Sequence, residues 1–176
     1  MSDSTAPLPP TPTVTASLLK NVGLFGGIDD KVLEVLAREL AVRTVEVNDL
    51  VVTEGDQARE MFVVLSGELE VLKKSRTAVG GEARVALLGP LDWFGEMSII
   101  DVQPRSASVR AVAPSALLLV TAEDVDRLLY RSDLRSYTLL VMNIARELSR
   151  RLRVADGILA DLVTTVAQEY VERRRR

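Results

Sequence analysis

The stretch FGEMSIIDVQPRSASVRA, residues 94–111, places one carboxylate and one guanidinium among residues of core type. Glu96 follows a glycine, and Arg105 stands nine positions later between Pro104 and Ser106. Phe94, Met97, Ile99, Ile100 and Val109 are their apolar company. Gly95 permits close backbone approach and can open a short helix over Glu96–Ile100. A helix N-terminus presents N–H groups and a partial positive charge, which suits an anion. Arg105 adds a planar fork shaped for phosphate. Pro104 stiffens the approach to it, and the Ser106 hydroxyl can donate to the same anion.

Glu96 cannot serve an anion. It needs a donor on the same ligand, and a ribose hydroxyl is the natural one. A 3′,5′-cyclic nucleotide carries a phosphate and a free 2′-hydroxyl close together. Taken alone, a Glu and an Arg nine apart read more simply as an ion pair closing a loop. The surrounding sequence has to decide between the two.

Composition narrows the choice. The chain has 176 residues, 47% hydrophobic and 27% charged, enough for one domain with a core plus an appendage. It contains no cysteine and no histidine. That removes disulfides, thiol nucleophiles, thiolate metal sites and imidazole bases. An enzyme would have to work with carboxylates, Lys, Tyr, Ser or Thr, and no general acid–base pair is visible beside Glu96 and Arg105. We expect no enzyme, no cofactor and no metal. No apolar run approaches 18 residues, so no spanning helix is expected. The N-terminus lacks the basic start and apolar core of a secretory signal, and a cytoplasmic location follows. Charge is uneven: residues 1–132 hold 13 Lys+Arg against 19 Asp+Glu, and residues 133–176 hold 9 against 6. Four of those nine are Arg173–Arg176, which read as a solvated helix end.

Residues 1–15 carry Pro7, Pro9, Pro10 and Pro12 among Ser and Thr and read as a disordered leader. A helical stretch at Ser17–Asn21 precedes LFGGIDDKVLEVLAREL, where Asp29 or Asp30 caps a helix with Val32, Val35, Leu36 and Leu40 on one face. After Ala41 the period changes to two. VRTVEVNDLVV turns at Asn48-Asp49, MFVVLSGELEVLKK divides at Ser66-Gly67, ARVALLG follows Gly80-Gly81, and SASVRAV and ALLLVTA complete a set of short strands. Such spacing predicts a β-barrel or double-sheet roll. AEDVDRLLYR reads as a short helix. Asp133 starts a long one whose apolar positions Leu148, Leu152, Ala155, Leu159, Leu162 and Val166 are spaced 4, 3, 4, 3, 4. A stripe of that kind predicts burial against a second copy in a homodimer.

LLGPLDWFGEMSIIDVQPRSASVRA resembles the phosphate-binding cassette of cyclic nucleotide-binding domains: Phe-Gly-Glu, a short apolar helix, then Pro-Arg-small-Ala-Ser/Thr-Val. Upstream, GDQAREMFVVLSGELEV resembles the same family's Gly-Asp…Val-Leu-Ser-Gly segment. The resemblance runs from about Leu18 to Leu162. It implies a mainly β fold with flanking helices, a double-stranded β-helix or jelly roll, ending in a long C-terminal dimerisation helix. The implied division is a leader at 1–15, a β-roll with N-terminal helices at 16–132, and the helix with its basic tail at 133–176. It also implies roles: Glu96 on the ribose 2′-hydroxyl, Arg105 on the cyclic phosphate, and N–H groups from Gly95, Glu96, Met97 and Ser98, with Ser106, around that phosphate. Ser108 alternates with Ser106 and is a candidate base contact. Two positions depart from the family pattern. Leu91 stands where Gly is frequent in Pro-Gly-Asp, and Val102 stands where Gly is frequent in the loop.

LSRRLRVADGILADL resembles the dimer helix of the catabolite activator protein family, where hydroxyl residues contact the purine. Here Ala155 and Asp156 match those positions. A carboxylate at Asp156 can accept the adjacent N1–H and N2–H donors of guanine, which leaves cAMP and cGMP both open. Only 14 residues follow Leu162, too few for a winged helix-turn-helix. The expectation is therefore a cyclic nucleotide sensor that signals through its C-terminal helix to a separate protein partner, without sequence-specific nucleic-acid binding. The competing readings are a degenerate fold serving as a protein-interaction scaffold and a binder of a cyclic dinucleotide.

Overall fold

In a computed structural model, residues 12–75, 81–101 and 103–174 are described, without the side chains of 167 and 169–174. Most of the predicted 1–15 leader, Gly80, Val102 and the end of the arginine tail lie outside these residues. The chain divides after Leu140 into two compact units, each taken by itself below.

The first unit opens with α1 (Ala16–Lys20), whose first turn is capped by the Thr15 hydroxyl accepting from the Leu18 N–H. A 3₁₀ turn at Gly23–Phe25 follows. Next comes α2 (Asp30–Glu39), capped by the Asp29 carboxylate accepting from the Lys31 N–H, as the Asp-Asp pair predicts.

Eight strands follow: β1 (Val42–Val45), β2 (Leu50–Val52), β3 (Glu60–Ser66), β4 (Leu69–Lys74), β5 (Glu82–Leu88), β6 (Trp93–Phe94), β7 (Ser108–Ala111) and β8 (Ser115–Thr121). They form two four-stranded antiparallel sheets, ordered β1-β8-β3-β6 and β2-β7-β4-β5. The core between the sheets holds Val45, Val51, Phe62, Val64, Leu69, Leu88, Phe94, Val109, Ala111 and Leu117. Phe62 and Phe94 stack there with ring centroids 5.2 Å apart. This is the jelly roll that the strand spacing and the resemblance predict.

The central strands β3 and β8 are buried on both faces. Strand alternation puts only every second side chain toward the other sheet, so the other faces of these strands are covered as well. In the helical segments of this unit Leu19, Leu24, Phe25, Leu33, Leu36 and Leu129 are buried.

The β3–β4 turn needs its glycine. Gly67 has φ +91°, and a Cβ there would lie 2.1 Å from the Ser115 hydroxyl, itself fully buried.

Three local features differ from the sequence reading. The strand read over 106–112 begins only at Ser108, because the backbone of Arg105 is committed to the 53–56 loop, as described below. Trp93–Phe94 forms a two-residue strand against Val63 and Phe62. The short helix after β8 starts as α4 (Ala122–Asp124), with Thr121 and Asp124 in a reciprocal capping box. It then widens into a π-helical segment, Val125–Tyr130, closed by the Arg131 N–H on the Asp126 carbonyl at 2.9 Å.

The last helix, α5 (Leu134–Arg174), starts in the first unit and supplies all the regular structure described in the second. In the second unit Leu152, Ile158, Leu159, Leu162, Val163 and Val166 are exposed.

Candidate functional site

The 94–111 stretch builds its site from a turn, a one-turn helix and an anchored loop. At the turn, Gly95 has φ +83°. A Cβ at this position would lie 2.6 Å from Arg105 Nη1 and 3.0 Å from the Glu60 carbonyl oxygen. Only glycine satisfies both the torsion and the space. The helix α3 (Met97–Ile100) follows, with Glu96 at its cap position in helical conformation.

Glu96 is 3% exposed and Arg105 6% exposed. Charged groups are almost never buried to this degree without a compensating partner. Arg105 is held at both ends. Its backbone N–H donates to the Asp56 carbonyl at 2.8 Å, and its carbonyl accepts from the Gly55 N–H at 2.9 Å. Its Nη1 donates to the Ser98 hydroxyl at 2.9 Å and to the Gly95 carbonyl at 3.4 Å. The other edge of the guanidinium is different: buried Nε and Nη2 have no hydrogen-bond partner. The Glu60 carboxylate lies 3.6 Å from Nη2, a charge contact longer than a hydrogen bond. Burial lowers the guanidinium pKa, while Glu60, Glu96 and Asp56, in that order, oppose the shift. Arginine stays a cation under such a shift. The site is therefore a buried cation, fixed in orientation, with a two-donor edge shaped for an oxyanion.

The other expected residues separate in place and use. Ser98 is buried, its N–H donates to the Gly95 carbonyl and its hydroxyl accepts from Arg105, so it orients the arginine. Met97 is 48% exposed on α3. Ser106 is exposed, and its carbonyl accepts from Lys73 Nζ. Ser108 does not share the face of Ser106 in one continuous strand. It is 3% exposed, and its hydroxyl accepts from the Glu54 N–H at 2.9 Å. Its hydroxyl thereby fastens the 53–56 loop to β7 while keeping its own proton to donate. Asp156 is exposed on the helix of the second unit.

Sequence reading missed Glu60 and Glu54. Glu54 collects the Lys74 N–H at 2.9 Å and Lys73 Nζ at 3.8 Å, joining the end of β4 to the loop that anchors Arg105. Glu60 lies within the upstream GDQAREM segment and Glu54 immediately precedes it, but neither carboxylate is marked by spacing as a partner of the 94–111 stretch.

The site is thus a two-sheet roll carrying a Gly-Glu turn, a one-turn helix and an internally anchored arginine, an arrangement suited to a small anionic ligand. The family profile described as "Cyclic nucleotide-binding domain" matches residues 42–132. This chain belongs to the cyclic nucleotide-binding domain family.

Among curated proteins, the cyclic AMP receptor protein of Thermus thermophilus is 34% identical over 139 residues, 78% of this chain and 61% of that protein. The CRP-like cAMP-activated global transcriptional regulator of Mycobacterium tuberculosis is 29% identical over 148 residues, 84% of this chain and 63% of that protein. Among solved structures, the catabolite activator protein of Thermus thermophilus superposes with TM-score 0.69 at 32% identity, covering 81% of this chain and 63% of that one. The chain thus spans somewhat under two thirds of the length of these relatives. Among the described residues no helix is long and apolar enough to cross a membrane.

Proposed function

We propose that this chain is a cyclic nucleotide sensor that takes cAMP or cGMP at the 94–106 cassette and passes the signal to a separate protein through its C-terminal helix. The observation that carries the reading is the Nε/Nη2 edge of Arg105: two buried donors with no hydrogen-bond partner on a side chain oriented by Ser98 and Gly95. A natural protein keeps a buried cation of that kind where an anion visits it. Glu96, buried at the start of α3 and close enough to act on the charge of Arg105, is the acceptor for the ribose 2′-hydroxyl. Gly95, Glu96 and Met97 supply the backbone at the phosphate, with Ser106 at the exit of the loop. The names of the two curated relatives, both given as cAMP-responsive, support the ligand class.

A carboxylate can accept guanine N1–H and N2–H together, so Asp156 is the candidate residue for a choice between cAMP and cGMP. Asp156→Ala is expected to lower affinity for cGMP more than for cAMP. Signalling is a population shift: ligand favours one arrangement of the cassette and helix over another by its differential affinity for the two.

Titration calorimetry with cAMP and with cGMP tests the proposal. Saturable heat with one of them, lost in Arg105→Leu and weakened at least tenfold in Glu96→Ala, is the expected result. No heat with either at millimolar ligand would sink it. Wild-type signalling by a Glu96→Ala/Arg105→Ala double variant would favour the scaffold reading instead.

A further inference from the structure

Glu60 stands at the first residue of β3, outside the 94–111 stretch, with its Cα paired to Thr121 on β8. Two things bring it to the site. Its backbone carbonyl closes the floor under Gly95, within 3.0 Å of where a Cβ would be. Its carboxylate faces Arg105 Nη2 at 3.6 Å. Nη2 and Nε form the edge on which a bidentate oxyanion sits, and the other terminal nitrogen, Nη1, is taken by Ser98 and Gly95. Glu60 is therefore the carboxylate at the edge a phosphate has to approach. The two acids near Arg105 differ in freedom. Glu96 is 3% exposed, whereas the Glu60 side chain is 35% exposed and can turn into water.

We propose that Glu60 is an exchangeable counter-anion of Arg105: it compensates the buried cation in the unliganded protein and competes with the ligand phosphate for the Nε/Nη2 edge, so that it sets the affinity of the site. The proposal rests on the cyclic nucleotide reading above for the identity of the ligand, but not for the Glu60–Arg105 coupling itself. The physical basis is charge counting in a poorly solvated place. Arg105 already faces the carboxylates of Glu60, Glu96 and Asp56, with Glu60 the largest of the three charge effects. Adding a phosphate anion raises the negative charge around one cation further, and Glu60, at the approached edge and free to turn into water, is the group whose withdrawal relieves the repulsion. Removing the Glu60 charge has opposite effects in the two states: it uncovers Arg105 without ligand and removes a competitor with ligand.

The test uses the full chain, Glu60→Gln and Glu60→Ala, each also in an Arg105→Leu background. Thermal unfolding is followed without ligand, with inorganic phosphate and with cAMP or cGMP, and calorimetry is run on the nucleotides. Glu60→Gln is expected to melt lower than wild type without ligand, and to bind the responding nucleotide about 3- to 10-fold tighter. The fall in melting temperature is expected to vanish when Arg105 is Leu. Glu60→Ala serves if the amide finds a new partner that masks the effect.

Equal or weaker anion binding by both Glu60 variants overturns the proposal, as does a stability loss that persists unchanged without Arg105. If neither nucleotide binds wild type or variant, the sensor reading fails. The phosphate arm then decides this inference alone: greater stabilisation of Glu60→Gln than of wild type upholds it, and no difference overturns it.

Discussion

At the scale of single residues, two backbone positions with positive φ in the 89–95 segment are filled oppositely. Gly95, at φ +83°, has the residue its torsion asks for, and the neighbouring Arg105 Nη1 leaves no room for another. Leu91, at φ +75°, does not. It sits in a Gly89–Asp92 turn closed by the Asp92 N–H on the Gly89 carbonyl at 3.1 Å and by the Gly89 N–H on the Asp92 carboxylate at 2.9 Å. The Leu91 N–H donates to the Val64 carbonyl and the Asp92 carbonyl accepts from the Val64 N–H, which locks the turn onto β3. A left-handed torsion costs a side-chain-bearing residue about 1–2 kcal/mol, partly offset by the entropy a glycine would lose and by the partial burial of the leucine. Leu91→Gly is therefore expected to raise stability by about 0.5 kcal/mol, visible as a rise of about 1–2 °C in melting temperature. A drop would show that side-chain packing outweighs the torsion. The departure from the family pattern at Leu91 was legible in the sequence. Its torsion was not, because only the pairing of Leu91 and Asp92 to Val64 imposes it.

At the scale of elements, the second-unit helix carries its own electrostatic staple. Glu147 accepts from Arg150 at 2.7 and 2.9 Å and from Arg151 at 2.8 Å, at i,i+3 and i,i+4 spacing. Hydrogen bonds from Arg150, and then Arg151, hold its carboxyl at about 2, below the ordinary 4.5, against the opposing effect of burial. A depressed carboxyl stabilises the fold while it is ionised. The contribution is whole above about pH 4.5 and is lost as pH falls through about 2. Helix pairs of this type contribute about 0.3–0.5 kcal/mol each. Glu147→Gln is expected to lower stability at pH 7 by about 0.5–1 kcal/mol, with the gap to wild type closing between pH 4.5 and 2. Thermal melts followed by far-ultraviolet circular dichroism across that range measure it. A gap independent of pH would show that shape, not charge, is what the substitution removes. The spacing of these residues was open to reading in the sequence, as was the Asp29 cap. The π-helical widening after β8 was not, since nothing in AEDVDRLLYR distinguishes it from an ordinary helix.

At the scale of the whole molecule, the heptad-spaced apolar positions of α5 in the second unit face solvent from Leu152 onward. Leu152, Leu159, Leu162 and Val166 are each more than half exposed. An apolar stripe on a helix is costly in water, and we propose a second copy with the same heptad spacing as its partner. Burying a leucine contributes about 1.5–3 kcal/mol. Leu152→Lys/Leu159→Lys is therefore expected to weaken a wild-type dimer at least 100-fold, giving a monomer by sedimentation at micromolar concentration. A wild-type chain that is monomeric at the highest soluble concentration overturns the dimer reading.

Most of the order of elements, and a β-barrel or double-sheet roll as the class, were legible in the sequence because they rest on local rules, and the cassette was legible through its resemblance to a family motif. Strand alternation, helix period, glycine turns and cap residues depend on near neighbours in the chain. What only tertiary structure decided is which polar groups meet. Ser108 and Ser106 alternate in sequence, yet the Ser108 hydroxyl is buried and accepts from the N–H of Glu54, 54 residues away, whereas Ser106 is exposed. Glu60 carries no mark in its own segment and becomes the carboxylate beside Arg105 because β3 runs under the Gly95 turn. Buried polar groups take their partners from whatever the packing brings within hydrogen-bond reach, and that distance is set by the sheets, not by spacing along the chain.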